Sequence, residues 1–339
     1  MSRVLLAYRL GAAAARAVPE PVAYGGAAAL GRLAALVAPE RRAQVERNIR
    51  RVLGPGADDR RVRAISRRTF GSYAQYWVES FRLPDLSPAA LDAGITIEGW
   101  PIVEDALAAG RGAIIALPHL GGWEWAGFWV ATVKQRPISV VVEPLEPAEL
   151  FDWFVGFREA LGMHVIPLGP AAGGDVVRAL KANHVVCLLS DRDIGGGGVE
   201  VEFFGEHTTL PGGPATLGLR TGAPLLTAAV YFVGRRHHAV VRPPLDTGRT
   251  GRLRDDVTRV TQALARELET LIRAAPDQWH LLQPNWPTDL VAEPEVRPRI
   301  RWPAASGGRE RHVAARPAAP DRPAAEGGRQ EPPPPGTPH

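Results

Sequence analysis

A histidine and a glutamate, His119 and Glu124, close the apolar run "AIIALPHLGGWEWA" at residues 113–126. Imidazole is the side chain whose ordinary pKa suits proton removal near pH 7, and a carboxylate beside it fixes one tautomer and stabilises the imidazolium that forms. If a turn at Gly121 and Gly122 starts a helix, Glu124 lies in its first turn and reaches back to one ring nitrogen, leaving the other as a base. The glycines admit a substrate close to the backbone, and free amides at the helix start face a developing oxyanion. The same spacing also suits a loop histidine with Glu124 complementing the helix dipole, and spacing does not choose between the two.

Further charge follows in "LLSDRDIGGGGVEVEFFGEHTTLPGGPATLGLRTGAPLL" at residues 188–226. Asp191 and Arg192 read as a local ion pair, either shaping a pocket or purely structural, and Asp193 reads likewise. Glu200 and Glu202 alternate along an apparent strand and so share one face, turned to a site or to solvent. His164, His184, His207, His237 and His238 fit no partner pattern and read as structural or surface residues. The single cysteine, Cys187, sits inside an apolar run, which excludes an intrachain disulfide and a cysteine-based zinc cluster and suits a reducing compartment.

The elements that must position these residues follow from periodicity. "GAIIALPH", "PISVVVEPL", "HVIPL", "HVVCLLSDRD", "PLLTAAVYFVG" and "HHAVVRPPL" read as strands. "GGWEWAGFWVAT", "PAELFDWFVGFREALG", "DVVRALKAN", "PATLGLRTG" and "RDDVTRVTQALARELETLIRAAP" read as helices. Alternation of the two predicts an α/β fold with a mixed, mostly parallel central sheet flanked by helices. Ligand sites in such sheets form beyond the carboxyl ends of strands, and both His119 and Asp191 follow apolar strands directly. Residues 3–17 and 22–37 read as N-terminal amphipathic helices, and 41–53 and 61–83 as further helices, the last with an aromatic face.

Apolar residues make up 45% of the 339 and charged residues 22%, an ordinary globular balance that supports a sizeable core. Net charge is +4, carried almost wholly by arginine; this suits phosphate contacts, although a coding bias toward arginine produces the same excess. No run of about 18 uninterrupted apolar residues marks a membrane span, and arginines break the N-terminal apolar blocks too often for a secretory signal. Residues 1–40 therefore read either as helices lying on an anionic membrane surface or as ordinary packed helices. No motif supports nucleic acid as a partner. The expected organisation is membrane-associating helices over 1–40, a catalytic domain over 41–302 and a disordered Pro/Ala/Gly/Arg-rich tail over 303–339.

His119-x4-Glu124 resembles the H-x4-D/E box of the glycerolipid acyltransferases. The blocks "DRD…GVEVEFFG…LPGGPATLGLRTGAPL" resemble the bacterial lipid A late-acyltransferase superfamily, and "SYAQYWVESFRLP", "VVEPLEPAELFDWFVGFREALG" and "DQWHLLQPNW" are similar to its phosphatidylinositol mannoside acyltransferase branch. The resemblance runs from about Arg41 to Trp286. It implies a glycerolipid-acyltransferase-like fold and transfer of a long-chain acyl group, palmitoyl above all, from acyl-coenzyme A to the 6-hydroxyl of a mannose on phosphatidylinositol mannoside. It implies no metal and no cofactor beyond acyl-CoA as co-substrate, and a peripheral position on the cytoplasmic face of the cell membrane.

The resemblance also assigns roles. His119 is the general base, paired with the distant Glu200, while Glu124 holds the acid position of the box, where this branch often has Asp. Arg158 matches an arginine expected near the coenzyme A phosphates or the site entrance. Glu143 matches a strand-end acid that touches mannose or inositol hydroxyls, and Asp191 with Arg192 borders the acceptor pocket. A long acyl chain requires an apolar groove, since each buried methylene contributes about 0.8 kcal/mol. Tyr76, Trp77 and Phe81 are the expected lining; Trp123, Trp125 and Trp129 suit either that groove or the core. The competing readings are a lipid A-type late acyltransferase using acyl-carrier protein and a non-catalytic lipid-binding relative.

Overall fold

The computed structural model describes residues 2–290, so the expected tail over 303–339 and the end of the expected catalytic domain lie outside the described residues. Four helices come first: α1 (Arg3–Ala17), α2 (Glu20–Val37), α3 (Pro39–Leu53) and α4 (Asp59–Arg82). Their starts follow from local chemistry. Ser2 and Asp58 accept hydrogen bonds from the Leu5 and Arg61 amides, and Pro21 and Pro39 occupy first-turn positions where a missing N–H costs nothing.

The α/β portion follows as α5 (Pro88–Ala93), β1 (Ile95–Glu98), α6 (Trp100–Ala108), β2 (Ala113–Leu117), α7 (Trp123–Thr132), β3 (Ile138–Val142), α8 (Ala148–Ala160) and β4 (Met163–Pro167). It continues with α9 (Ala172–Lys181), β5 (Val185–Leu189), β6 (Val199–Phe203), β7 (Glu206–Leu210), α10 (Gly213–Thr221), β8 (Leu225–Val233), β9 (Arg236–Val241), α11 (Leu253–Ala274) and α12 (Pro287–Leu290). The main sheet has seven strands in the order β1-β9-β8-β2-β5-β3-β4. Every neighbouring pair is parallel except β8–β9, so the sheet is mixed and mostly parallel, as the alternation of elements predicts. β6 and β7 form a separate antiparallel hairpin.

The sheet divides the core in two because side chains alternate along each strand. Ile114 and Ala116 of β2, with Val186 and Leu188 of β5, join one cluster beneath α9, α10 and α11. Ala113, Ile115 and Leu117, with Val185, face the other cluster beneath α6 and α7. β2 is buried on both faces, which explains its unbroken apolar run. Two smaller clusters belong to the first four helices. Val45, Ile49, Val62, Ile65 and Phe70 join α3 to α4, and Leu5 of α1 packs on Leu150 and Phe154 of α8. The buried side of α2 is a stripe of small residues, Ala23, Ala27, Gly31 and Ala35, which brings it close to α4.

Candidate active site

β2 and β5 are parallel neighbours with Leu117 opposite Leu189. Continuing that register by two residues brings His119 opposite Asp191, both just past the carboxyl ends of their strands. The His119 Nδ1 lies 2.7 Å from Asp191 Oδ1, and the His119 amide donates to Oδ2 at 3.1 Å. Trp279 Nε1 donates to the same Oδ2 at 2.7 Å, and Asn285 Nδ2 donates to the Asp191 carbonyl at 3.0 Å. Asp191 is fully buried while the His119 side chain is 23% exposed. Burial pushes the Asp191 carboxyl up, but the His119 ring and the donors around it outweigh burial and hold it below the ordinary carboxylate value. A carboxylate receiving a proton at Nδ1 leaves the Nε2 lone pair as the basic position of the ring.

The turn that carries His119 is stitched to the sheet. The amides of Gly121 and Gly122 donate to the carbonyls of Gln278 and Val230 at 3.0 Å each, and the His280 amide donates to the His119 carbonyl at 2.7 Å. Gly121 has φ +61°, and a Cβ there would collide with the Val230 carbonyl, so only glycine suits this position. The glycine amides expected to face an oxyanion are thus already engaged. Those of Trp123 and Glu124, the first residues of α7, have no partner among the described residues, as helix geometry dictates.

Glu124 does not meet the histidine ring. It is buried, and its carboxylate takes Arg158 Nε at 3.0 and 3.3 Å, Arg158 Nη2 as well, and the Tyr76 hydroxyl at 3.3 Å. Trp123, the residue before Glu124, is stacked on Tyr76 with centroids 4.1 Å apart and lies edge-on to His119 at 5.6 Å. Arg158, expected near the coenzyme A phosphates or the site entrance, pairs with the buried Glu124 and lines the cavity described below. Burial, then the Glu124 charge, raises the Tyr76 hydroxyl well above its ordinary value.

Glu200 is also displaced from its expected place. It projects from β6 with 78% of its side chain exposed, 3.5 Å from His207 Nδ1 on β7, and has no contact with His119. The carboxylate that lies against the His119 ring is that of Asp191 instead. Arg192 pairs with Glu143 at 2.8 Å, so the expected Asp191–Arg192 pair is absent and two expected site residues meet each other. Asp193 clamps its own loop through the amides of Gly195, Gly196 and Gly198 and the Thr209 hydroxyl. Glu202 pairs with Arg266 at 2.7 Å.

A narrow apolar cavity of about 100 Å³ lies between α7 and the sheet. Strand residues of β2, β3, β5, β8 and β9 form one wall, Trp123, Ala126, Gly127 and Val130 the other, and Glu124, Arg158 and Cys187 are its polar or polarisable points. Burial, then the Glu124 charge, pushes the Cys187 thiol up to about 12. Tyr76, Trp77 and Phe81 do not line this space. Trp77 and Phe81 pack instead on Tyr8, Trp153 and Phe154 beneath α1 and α8. Trp125 and Trp129 are core residues, and Trp123 alone of the three tryptophans reaches the cavity. Trp279, Asn285 and His280 were missed as site residues; their signal lay in "DQWHLLQPNW", a block with no local motif that reaches His119 only through the fold.

Residues 4–288 match the family of bacterial lipid A biosynthesis acyltransferases. A phosphatidylinositol mannoside acyltransferase of Mycolicibacterium smegmatis is 40% identical over 302 residues, covering 86% of this chain and 94% of that protein. Another of the same name from Mycobacterium tuberculosis (strain CDC 1551) is 40% identical over 268 residues, 76% of this chain and 81% of its own. With a match across nearly all of the described residues, the chain belongs to the bacterial lipid A biosynthesis acyltransferase family.

Proposed function

We propose that the chain is an acyl-CoA-dependent O-acyltransferase that moves a long-chain acyl group, palmitoyl, to the 6-hydroxyl of a mannose on phosphatidylinositol mannoside. The observation that carries this reading is the His119–Asp191 pair, open at Nε2, at the strand ends beside an apolar cavity. The names of the relatives support the acceptor.

His119 Nε2 takes the proton of the sugar hydroxyl as its oxygen attacks the thioester carbonyl. Asp191 stabilises the imidazolium through Nδ1–H. The tetrahedral oxyanion forms beside the α7 start, where the Trp123 and Glu124 amides are unspent donors. Collapse breaks the carbon–sulfur bond, and the imidazolium returns the proton to the departing thiolate. A thioester is already activated, so the chemistry needs no acyl-enzyme. The cavity beneath α7, at about 100 Å³, is smaller than a sixteen-carbon chain and takes only part of the acyl group, and Glu124 with Arg158 holds α7 to α8 as its rim.

No helix among the described residues is long and apolar enough to cross a membrane alone; α2 and α3 pass that test only as a pair bent by 101°. α1 and α2 nevertheless expose Val4, Leu6, Leu10, Val22, Leu30, Leu33, Leu36 and Val37, with arginines between them. This supports a peripheral position on an anionic lipid surface at the cytoplasmic face, with the acceptor taken from that surface.

The test is acyl transfer from palmitoyl-CoA and, separately, palmitoyl-carrier protein to purified phosphatidylinositol mannosides, with His119→Ala alongside. Product from the CoA thioester with the unsubstituted chain alone is expected. Product only from the carrier-protein donor would replace the donor, and equal product from folded His119→Ala would remove the base.

A further inference from the structure

Ser72, Tyr76 and Glu79 stand four and three positions apart on α4, so they share one stripe of the helix. Each binds a different wall of the site. The Ser72 hydroxyl lies 2.8 Å from His280 Nε2, the Tyr76 hydroxyl donates to Glu124 at 3.3 Å, and Glu79 meets His237 Nε2 at 2.9 Å. His237 in turn packs against Gly122, where a Cβ would come within 2.6 Å of its ring. The opposite partner of α4 is α2, so the helix lies between the exposed apolar N-terminal pair and the catalytic turn.

The Ser72 contact bears most directly on His119. His280 is buried, and its backbone amide holds the His119 carbonyl at 2.7 Å. Its ring sits among Tyr73, Tyr76 and Trp123 with centroids 5.3, 5.8 and 5.7 Å away, and Trp123 is the ring that meets His119 edge-on. His280 Nδ1 is buried with no hydrogen-bond partner. Ser72 is therefore the one polar anchor of this ring among the described residues.

We propose that Ser72 is a positioning residue for His119: by anchoring the His280 ring it fixes the backbone that grips the His119 carbonyl and the Trp123 face beside its imidazole, and α4 thereby sets the catalytic geometry. The proposal rests on the reading of His119 as the base. A merely structural serine would alter melting temperature and leave the His119 ring unchanged.

The test uses the full chain labelled with 15N-histidine, as Ser72→Ala, Ser72→Cys and Ser72→Thr. The 15N shifts of the His119 ring report its tautomer, and steady-state kinetics with palmitoyl-CoA and phosphatidylinositol mannosides report kcat and KM. Ser72→Ala is expected to move His119 from the pure Nδ1–H tautomer toward a mixture. It should lower kcat about tenfold to a hundredfold with the acyl-CoA KM within about twofold, and Ser72→Thr should restore both. Ser72→Cys, nearly isosteric with a weak donor, should match Ser72→Ala and serves if the alanine variant does not fold. Unchanged His119 shifts in the folded Ala or Cys variant would overturn the proposal, whatever the turnover. A wild type with the Nδ1–H tautomer but no His119-dependent turnover would reject the base instead, and the shift comparison would still decide the positioning role.

Discussion

Asp191 gives His119 a fixed tautomer, a fixed ring plane and a compensating charge, and it can do so only because Trp279 and the His119 amide satisfy its second oxygen. Glu124 belongs to a different balance. It neutralises Arg158 in the interior, and removing one partner of a buried pair costs about 3–5 kcal/mol because the other charge is left bare. Glu124→Gln is thus expected to lower the melting temperature by an amount matching about 3 kcal/mol, and the double variant Glu124→Gln/Arg158→Met to recover much of that loss in a thermal scan. His280 supplies a pH signature. Burial, then the neighbouring His119, depresses its pKa from 6.5 to about 3, with Asp191 opposing. The unfolded chain then binds a proton that the folded chain refuses, so this residue erodes stability as pH falls from about 6.5 toward 3, by up to about 1.4 kcal/mol per pH unit. His280→Asn should flatten that part of the melting-temperature profile relative to wild type.

At the scale of elements, the site was legible to the extent that it depends on strand ends. Apolar runs before His119 and before Asp191 mark two buried parallel strands, and the β2–β5 register turns that likeness into a contact. Which acid meets His119 was not legible, because it depends on strand order: β5 is the neighbour of β2, while β6 with Glu200 pairs only with β7. β1 went unread because four residues of strand carry too little periodicity. The aromatic face of α4 was legible as a pattern, but its occupant was not, since α1 and α8 compete for it with any lipid. The cavity lies instead along β5, where Cys187 projects into it. If the proposed acyl donor enters this cavity, Cys187→Phe should shift the chain-length optimum toward shorter acyl groups, with an overpacking cost of about 1–3 kcal/mol. A series of acyl-CoA chain lengths with the variant and wild type checks this, and an unchanged optimum would place the chain elsewhere.

Among the described residues, most of the exposed large apolar side chains lie on α1 and α2. Those helices touch α4, and α4 touches the turn that carries His119, while α1 also packs on α8, whose Arg158 pairs with Glu124, so the exposed apolar surface and the candidate site are linked through α4 and α8. Leu30→Asp with Leu33→Asp, both more than half exposed, should weaken sedimentation with vesicles containing anionic lipid while leaving the fold intact by circular dichroism. Added salt should weaken wild-type binding as well, because arginine contributes through a screened attraction. Binding unaffected by both changes would assign these helices to packing alone.

In the proposed mechanism Asp191, and not Glu200, is the carboxylate that works with His119. The decisive comparison is kcat for Asp191→Asn and Glu200→Gln in one transfer assay, with both proteins shown to be folded. The expected result is a loss of about a hundredfold or more for Asp191→Asn, since the amide favours the wrong tautomer, and a change within about twofold for Glu200→Gln. A large loss at Glu200 with near-normal turnover at Asp191 would contradict it.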